Sequence, residues 1–304
     1  RYLSKKPPNM PELPEVETIV KKLHSVLENK VITGIRINRE KSFQGDMGLV
    51  IGQPISAVSR RAKLIRFHFP NNLNVLAHLK MTGQFIFVGS NKKTGDTKIG
   101  GGHPSSDWVG SLPSKHTRVE IDLAGNDDED NNKQDESLYF NDMRVFGWLK
   151  VMTDDEVQRE YEKYGPDINT PEASIEYFKT KLKKTARKIK QVVMDNKIIS
   201  GVGNIYACDG LNLAKIHPTR PANSLSDEEL EVLLLALKEV IDLGIKLGGA
   251  TISDYRDVDG FSGKYQDEVL TYGREGQECK NCPGFIEKIK VGGRGTYFCS
   301  SCQV

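Results

Sequence analysis

The sequence has no long apolar run. Its 304 residues contain no continuous apolar stretch long enough for a membrane-spanning helix, which needs about 18 or more residues. The N-terminal region also lacks the apolar centre of a secretory signal. These absences predict a soluble protein of the cytoplasm.

Cysteine is scarce and concentrated at one end. Four of the five cysteines form two Cys-x-x-Cys pairs within the last 26 residues, with the spacing Cys279-x2-Cys282-x16-Cys299-x2-Cys302. This spacing predicts a tetrahedral zinc site, and four thiolates leave no coordination position for a reacting water, so the zinc would be structural. A module this short needs metal to fold. Disulfide pairing and a redox role are the alternatives. The fifth cysteine, Cys208, stands alone.

Net charge is also small, at +2, but it is unevenly distributed. Residues 126–137 hold six acids and one lysine, and the rest of the chain holds 42 basic and 35 acidic residues. Residues 179–190 contain seven basic side chains in twelve positions. Such a run is the footprint that phosphate binding needs, and a solvated helix face is the ordinary alternative.

The hydrophobic pattern predicts an α+β multidomain protein. Apolar residues with helical spacing follow Pro14 and Glu15, seven β-rich runs lie between Val31 and Val151, and helical patterns follow Thr153. We therefore expect an N-terminal β-sandwich or barrel-like domain with one N-terminal helix, then a helical domain, then the zinc module. The predicted boundaries are 1–10 for a leader outside the fold, 11–152, 153–265 and 266–304. The helix candidates lie near 154–163, 171–183, 186–196, 202–212 and 226–246.

Two segments interrupt the β-rich region. Residues 90–115 are rich in glycine and serine, and residues 126–137 are the acidic stretch. Both are expected to be surface insertions between strands. Residues 250–275 are polar with several glycines and are expected to form a loop.

Four short segments carry a family resemblance. They are Met10-PELPEVETI, Arg60-Arg-Ala-Lys63, Gly201-VGNIYA and the four cysteines with Arg294 between their pairs. Together they resemble bacterial formamidopyrimidine-DNA glycosylase, in order and spacing, from Met10 to Gln303. The resemblance implies a β-sandwich, a helix-two-turn-helix domain and a zinc finger, with double-stranded DNA bound between the domains of a monomer.

The resemblance also implies a chemistry. Pro11 would be the nucleophile that attacks the sugar C1′ and forms a Schiff base, which requires a free N-terminal imino group. That group would be exposed if translation began at Met10 and the methionine were removed. Glu12 would assist sugar-ring opening, Glu15 would be a supporting carboxylate, and Lys63 would contact the phosphate beside the lesion. Compensation of a helix dipole is the alternative for the two acids, and an ordinary solvated turn is the alternative for Lys63.

Further residues are assigned to DNA by the same resemblance. Met81, Arg144 and Phe146 would fill the space left by a flipped base and hold the orphaned partner. The remaining assigned contacts are His78, Lys190, Asn204 and Arg294. Met143 stands where the family is expected to have proline, which leaves the rigidity of this loop open. Core packing is the alternative for Met81 and Phe146, and a glycine turn with an asparagine cap is the alternative for Asn204.

The implied activity is a bifunctional one. The enzyme would remove 8-oxoguanine and formamidopyrimidines and then cut the strand by β,δ-elimination, with a loop near Asp257 to Tyr265 capping the flipped base. Endonuclease VIII, which acts on oxidised pyrimidines, is a competing interpretation, although it typically has glycine where this chain has Leu13. A non-catalytic zinc-dependent DNA-binding protein is the other, if the leader is retained.

Overall fold

The computed structural model describes five stretches of the chain and divides it into two compact units. The first unit contains Pro11, residues 15–161 and residues 248–250 with Gly263, and the second contains residues 12–14, 162–247 and 264–304. The described stretches are 11–91, 95–102, 112–124, 136–250 and 263–304. No helix among them is long and apolar enough to cross a membrane.

The first helix, α1, spans Leu13–Leu27. The apolar residues whose spacing predicted it, including Val16, Ile19 and Leu23, are all buried. Its apolar face therefore packs as the helical period requires.

In the described part of the first unit, ten strands form two five-stranded sheets. One sheet has the order β1-β8-β9-β6-β7 and is antiparallel throughout. The other has the order β2-β10-β5-β4-β3, and only its β10 and β2 pair is parallel. The strands are β1 (Val31–Ile37), β2 (Phe43–Gln44), β3 (Ala57–Arg61), β4 (Leu64–His68), β5 (Leu73–His78), β6 (Gly83–Asn91), β7 (Gly95–Gly102), β8 (Thr117–Ala124), β9 (Glu136–Asp142) and β10 (Trp148–Thr153).

The two sheets and α1 share one apolar core. Phe67 of β4 meets Phe85 of β6 edge to face at 5.3 Å between ring centroids, and Phe85 lies 5.2 Å from Phe140 of β9. Because β4 belongs to one sheet and β6 and β9 to the other, these rings close the sandwich. The expected N-terminal β-sandwich is confirmed.

Two details of the first unit differ from the expectation. Part of the 90–115 segment is a strand, because β7 pairs along β6 from Gln84↔Gly102 to Asn91↔Gly95. Glycine-rich sequence conceals such a strand, since its pairing depends on a neighbour and not on its own apolar pattern. The other is the additional short strand β2. Residues 126–135 of the acidic segment lie outside the described residues.

The second unit is mainly helical. Helix α2 (Asp154–Tyr161) ends the main part of the first unit. The described helices of the second unit are α3 (Ile175–Leu182), α4 (Ile189–Val193), α5 (Asn204–Leu213), α6 (Asp227–Lys246) and α7 (Tyr265–Glu268), followed by the hairpin β11 (Ile286–Val291) and β12 (Arg294–Cys299). Ser226 and Glu229 form a capping box at the start of α6. The short helix α7 lies in the stretch expected to be a loop.

Candidate nucleic-acid interface and zinc site

The four cysteines of the C-terminal hairpin meet at one point. Their sulfur atoms all lie within 4.8 Å of one another, with Cys282 and Cys299 at 3.5 Å and Cys279 and Cys302 at 3.9 Å. A zinc ion with bonds of about 2.3 Å in tetrahedral geometry separates its sulfurs by about 3.8 Å. The cluster therefore fits one structural zinc, and no position is left for a catalytic water.

The hairpin is joined to the helices through Lys190. This side chain on α4 is 1% exposed, and its ammonium donates to Asn204 Oδ1 and Thr296 Oγ1, both at 2.6 Å, and more weakly to the Gly295 carbonyl. The Asn204 amide also donates to Gly295 O at 3.1 Å. Burial lowers the pKa of Lys190, and the neighbouring Cys208 and Glu12 oppose the shift. Three predicted DNA contacts, Lys190, Asn204 and the exposed Arg294, thus belong to one basic cluster.

A small cavity opens beside this cluster. It is lined by residues of α4 and of the hairpin turn, among them Arg187, Gln191 and Arg294. Arg187 is paired with Asp195 at 2.7 Å. Cationic and amide donors around a concave surface are suited to binding an anion such as a phosphate.

Most of the basic run, by contrast, is used within the protein. Lys179 and Lys183 both pair with Asp227, and Lys181 lies over the ring of Tyr177. With Lys190 buried as well, the run is largely structural, and its phosphate contacts remain a prediction.

Glu12 lies at the N-terminus of α5. Its carboxylate is 4% exposed and accepts a hydrogen bond from the Ile205 amide at 3.1 Å. Negative charge is favoured at this end of a helix because the first amides point outward and carry partial positive charge. Compensation of a helix dipole, the alternative for Glu12, therefore applies to α5 and not to α1. One of the first amides of α5 is thus bonded to this carboxylate.

Two glycines permit that arrangement. Gly201 has a φ of +100°, which a residue with a Cβ rarely adopts. A Cβ on Gly203 would lie 1.9 Å from the Glu12 Cδ, so only glycine leaves room for the carboxylate. Gly203 is also the N-cap of α5. The asparagine-cap alternative is therefore wrong, because Asn204 is the first helical residue.

Glu15 holds a different piece of backbone. It is 3% exposed, and its Oε1 accepts from the Ala250 amide at 2.7 Å. Gly249, at a φ of +87°, has no space for a Cβ beside this carboxylate. Pro11 precedes these acids and is buried. Glu15 thus fixes the residues that lead into the 251–262 segment.

Lys63 lies near His78, because Lys63 directly precedes Leu64 of β4, which pairs with His78 of β5. Lys63 follows Ala62, which has a φ of +54° in the turn between β3 and β4. Lys63 is 6% exposed, so the solvated-turn alternative is wrong. Burial, with Lys80 and Lys63 nearby, lowers the pKa of His78 to about 3. His78 is therefore neutral, and its Nδ1 accepts from the Lys80 amide at 2.9 Å.

Met81, Arg144 and Phe146 are brought together by two turns. An Arg144 guanidinium nitrogen lies 3.0 Å from the Met81 sulfur, and the guanidinium lies 4.8 Å from the centre of the Phe146 ring. Phe146 is 48% exposed and the adjacent Met143 is 45% exposed. The core-packing alternative is therefore wrong for Phe146, and Met81 is half-buried.

Sequence reasoning missed the carboxylates that hold these loops. Asp142 anchors residues 142–147, and Asp209 accepts from the Tyr265 hydroxyl and from amides of residues 270–272. Tyr265 is buried against Tyr206. Tyr265, the last residue of the predicted capping loop, is therefore core, while 257–262 lie outside the described residues. An aspartate beside a loop is too common a pattern to single out either residue.

The fold and the cysteine cluster define an α+β protein with a structural zinc finger. Three family models match consecutive parts of the chain: the formamidopyrimidine-DNA glycosylase N-terminal domain at residues 10–149, its H2TH domain at 164–256, and the zinc finger found in FPG and IleRS at 276–304. Curated formamidopyrimidine-DNA glycosylases from Rickettsia conorii and Listeria innocua are 34% and 35% identical, over 97% of this chain and 99% and 100% of theirs. The chain belongs to the formamidopyrimidine-DNA glycosylase family and is a DNA glycosylase of base excision repair.

Solved structures agree with this membership. A mutant of the Lactococcus lactis protein bound to a Fapy-dG containing DNA, and the Lactococcus lactis protein bound to DNA with an abasic site, each superpose with a TM-score of 0.81 at 30% identity. Both comparisons cover 96% of this chain and 99% of the other.

Proposed function

We propose that this protein removes oxidised purines, 8-oxoguanine and formamidopyrimidines, from double-stranded DNA and then cuts the strand at the resulting abasic site. The observation that carries the proposal is the buried Glu12 carboxylate, held on the α5 N-terminus directly beside Pro11 in the chain. The comparisons support it, since a relative of this fold was solved with a Fapy-dG containing DNA.

The first chemical step is a displacement at the sugar. The Pro11 imino nitrogen attacks C1′, the bond from C1′ to the damaged base breaks, and the base leaves with a proton. Glu12 supplies a proton to the ring oxygen as the sugar opens, which gives an iminium on Pro11. Loss of a C2′ proton then drives β-elimination, which breaks the C3′–O bond and forms the C2′–C3′ double bond, and loss of the C4′ proton drives δ-elimination, which breaks the C5′–O bond. This route requires an active chain that begins at Pro11, because an amide nitrogen is not nucleophilic.

The other residues serve the DNA. Lys63 and Arg294 bind phosphates, and Lys190 and Asn204 contribute from the helical side of the Arg294 contact. Glu15 is the supporting carboxylate for Glu12 and accepts from the Ala250 amide. The neutral His78, whose Nδ1 accepts from the Lys80 amide, contacts the DNA near Lys63. Met81 and Phe146 fill the space of the flipped base, and Arg144 binds the opposite cytosine. The enzyme acts as a monomer in the cytoplasm.

Removal of oxidised pyrimidines is the second candidate. The clustering of Met81, Arg144 and Phe146 favours the purine activity, because it provides two fillers and one base-reading arginine at a single point. Relative rates on 8-oxoguanine and on thymine glycol duplexes separate the two.

The deciding experiment combines intact-mass measurement with borohydride trapping on an 8-oxoguanine:cytosine duplex. A chain that begins at Pro11 should form a reduced covalent complex. The matched control is the same chain with residues 1–10 retained, which keeps every side chain but converts the imino nitrogen to an amide, and it should not trap. Trapping by that control would assign the chemistry to a lysine, and DNA binding without trapping by either form would leave only a binding protein.

A further inference from the structure

A fully buried carboxylate, Asp142, lies at the base of the loop formed by residues 142–147, which carries Arg144 and Phe146. We infer that Asp142 is a positioning residue that sets the geometry with which the enzyme reads the base opposite the lesion. The inference rests on the proposed function, in which Arg144 makes that reading.

Both oxygens of Asp142 are used by the loop. Oδ1 accepts from the Arg144 amide at 3.1 Å and from the Thr82 hydroxyl. Oδ2 accepts from the amides of Phe146 and Gly147, each at 2.7 Å. Four donors on one buried carboxylate fix the backbone on both sides of Arg144.

The same carboxylate joins the second turn, which carries Met81. The Thr82 hydroxyl donates to Asp142 and accepts from the Arg144 amide at 3.1 Å. Gly83 tightens this turn, because a Cβ there would lie 2.3 Å from the Leu79 carbonyl oxygen. The contact between Met81 and Arg144 is thus set by backbone that Asp142 and Thr82 hold together.

The loop needs such an anchor for a physical reason. Val145 has a φ of +56°, a conformation that is costly for a β-branched residue and persists only where surrounding contacts over-determine it. Met143 supplies none of the rigidity of a proline at that position. The bonds from Asp142 provide the constraint instead, and they leave Arg144 and Phe146 exposed to a DNA partner.

Asp142→Asn tests the inference with nearly constant shape. An amide offers one acceptor oxygen where the carboxylate offers two, so in either orientation its NH2 group faces donors of the loop. Thr82→Val removes the hydroxyl that links the turns, and Thr82→Ser retains it. Asp155→Asn, on an exposed site of the same unit, is the matched control.

The measured quantity is the ratio of kcat/KM on 8-oxoguanine:cytosine to kcat/KM on 8-oxoguanine:adenine. This ratio does not depend on the fraction of folded enzyme. We expect Asp142→Asn to lower it by about tenfold, as displacement of a base-reading arginine does. Thr82→Val should lower it by about threefold, the loss of one hydrogen bond, while Thr82→Ser and Asp155→Asn keep the wild-type ratio.

Each of the other outcomes contradicts either the inference or the proposed function. Equal loss on both substrates with an unchanged ratio means that Asp142 is only structural and overturns the inference. A wild-type enzyme that excises 8-oxoguanine without distinguishing the opposite base overturns it too, while the proposed function stands. A wild-type enzyme that neither excises nor traps refutes the proposed function, and the inference falls with it. If Asp142→Asn does not fold, the Thr82→Val and Thr82→Ser pair decides.

Discussion

The β-sandwich and the zinc hairpin are stable for different reasons. The sandwich buries apolar side chains from two sheets and a helix in one core. The apolar cluster around the cysteines of the hairpin contains one further buried residue, Ile286. Its other fixed points are polar, such as the Gln303 side chain, which bonds to the Cys299 amide and to Asn212. One region thus folds by excluding water, and the other by binding metal and satisfying buried polar groups.

Removal of the metal should have the largest effect. Cys279→Ser should release zinc, whose binding contributes about 10–16 kcal/mol to the folding of small zinc modules. Duplex DNA affinity should then be lost, because the hairpin holds Arg294, the proposed phosphate contact, and two partners of Lys190, Gly295 and Thr296. Zinc content and DNA binding are measured together, and unchanged affinity in a zinc-free variant would remove the hairpin from the binding mechanism.

A cavity in the sandwich core should have the opposite effect, with lower stability of the sandwich and an intact zinc site. Phe85→Ala removes a side chain that is 0% exposed and should lower the free energy of unfolding by about 3–5 kcal/mol. Zinc content should be unchanged. The matched control is Phe285→Ala in the zinc region, where the ring is 57% exposed. Urea denaturation that gives equal losses for both variants would contradict the division between the two regions.

Substitution of Lys190 tests whether buried polar contacts stabilise the zinc hairpin. Lys190→Met should lower the free energy of unfolding by about 3 kcal/mol, since Asn204 and Thr296 lose a charged donor. It should also speed zinc release to a chelator. Lys184→Met, at an exposed position of the same basic run, should do neither. Equal chelation rates for the two variants would mean that Lys190 does not hold the hairpin.

A decrease in pH should destabilise the sandwich through protonation of His78. Its pKa is about 3 in the folded protein and 6.5 in the unfolded chain, so the unfolded state binds more protons between these values and stability falls as pH decreases below 6.5. At pH 5 the loss is about 2 kcal/mol. In His78→Asn the amide oxygen replaces Nδ1 as the acceptor without titrating, and this part of the pH dependence should disappear from urea denaturation of the sandwich. A slope equal to that of wild type would assign the acid sensitivity elsewhere.

The smallest effect is expected at Val145. Val145→Gly removes a left-handed β-branched residue and should raise the free energy of unfolding by about 1 kcal/mol, the relief of strain less the added entropy of glycine. Thermal denaturation measures it, and Val151→Gly, in regular strand β10, should destabilise instead. A destabilised Val145→Gly would mean that the side chain contributes packing which outweighs the strain.

Local patterns in the sequence were enough for much of the fold. The period of α1, the capping box of Ser226 and Glu229, and the cysteine spacing each depend on residues close together in the chain. The strand β7 could not be read in this way, because glycine has no side chain to show which face is buried. The burial of Lys63 could not be predicted either, since nothing near it in sequence shows that the turn is buried.

The sequence by itself determined the class of the protein, because the zinc ligands, the helix periods and the Pro11-Glu12 motif are encoded in short segments. Only the tertiary structure decided what its buried charges do. Glu12 reaches an amide on α5, Lys190 reaches the hairpin, and Asp142 receives the Thr82 hydroxyl from a different turn. These partners are far apart in the chain, and a buried charge is stable only where folding brings compensating donors or acceptors to it.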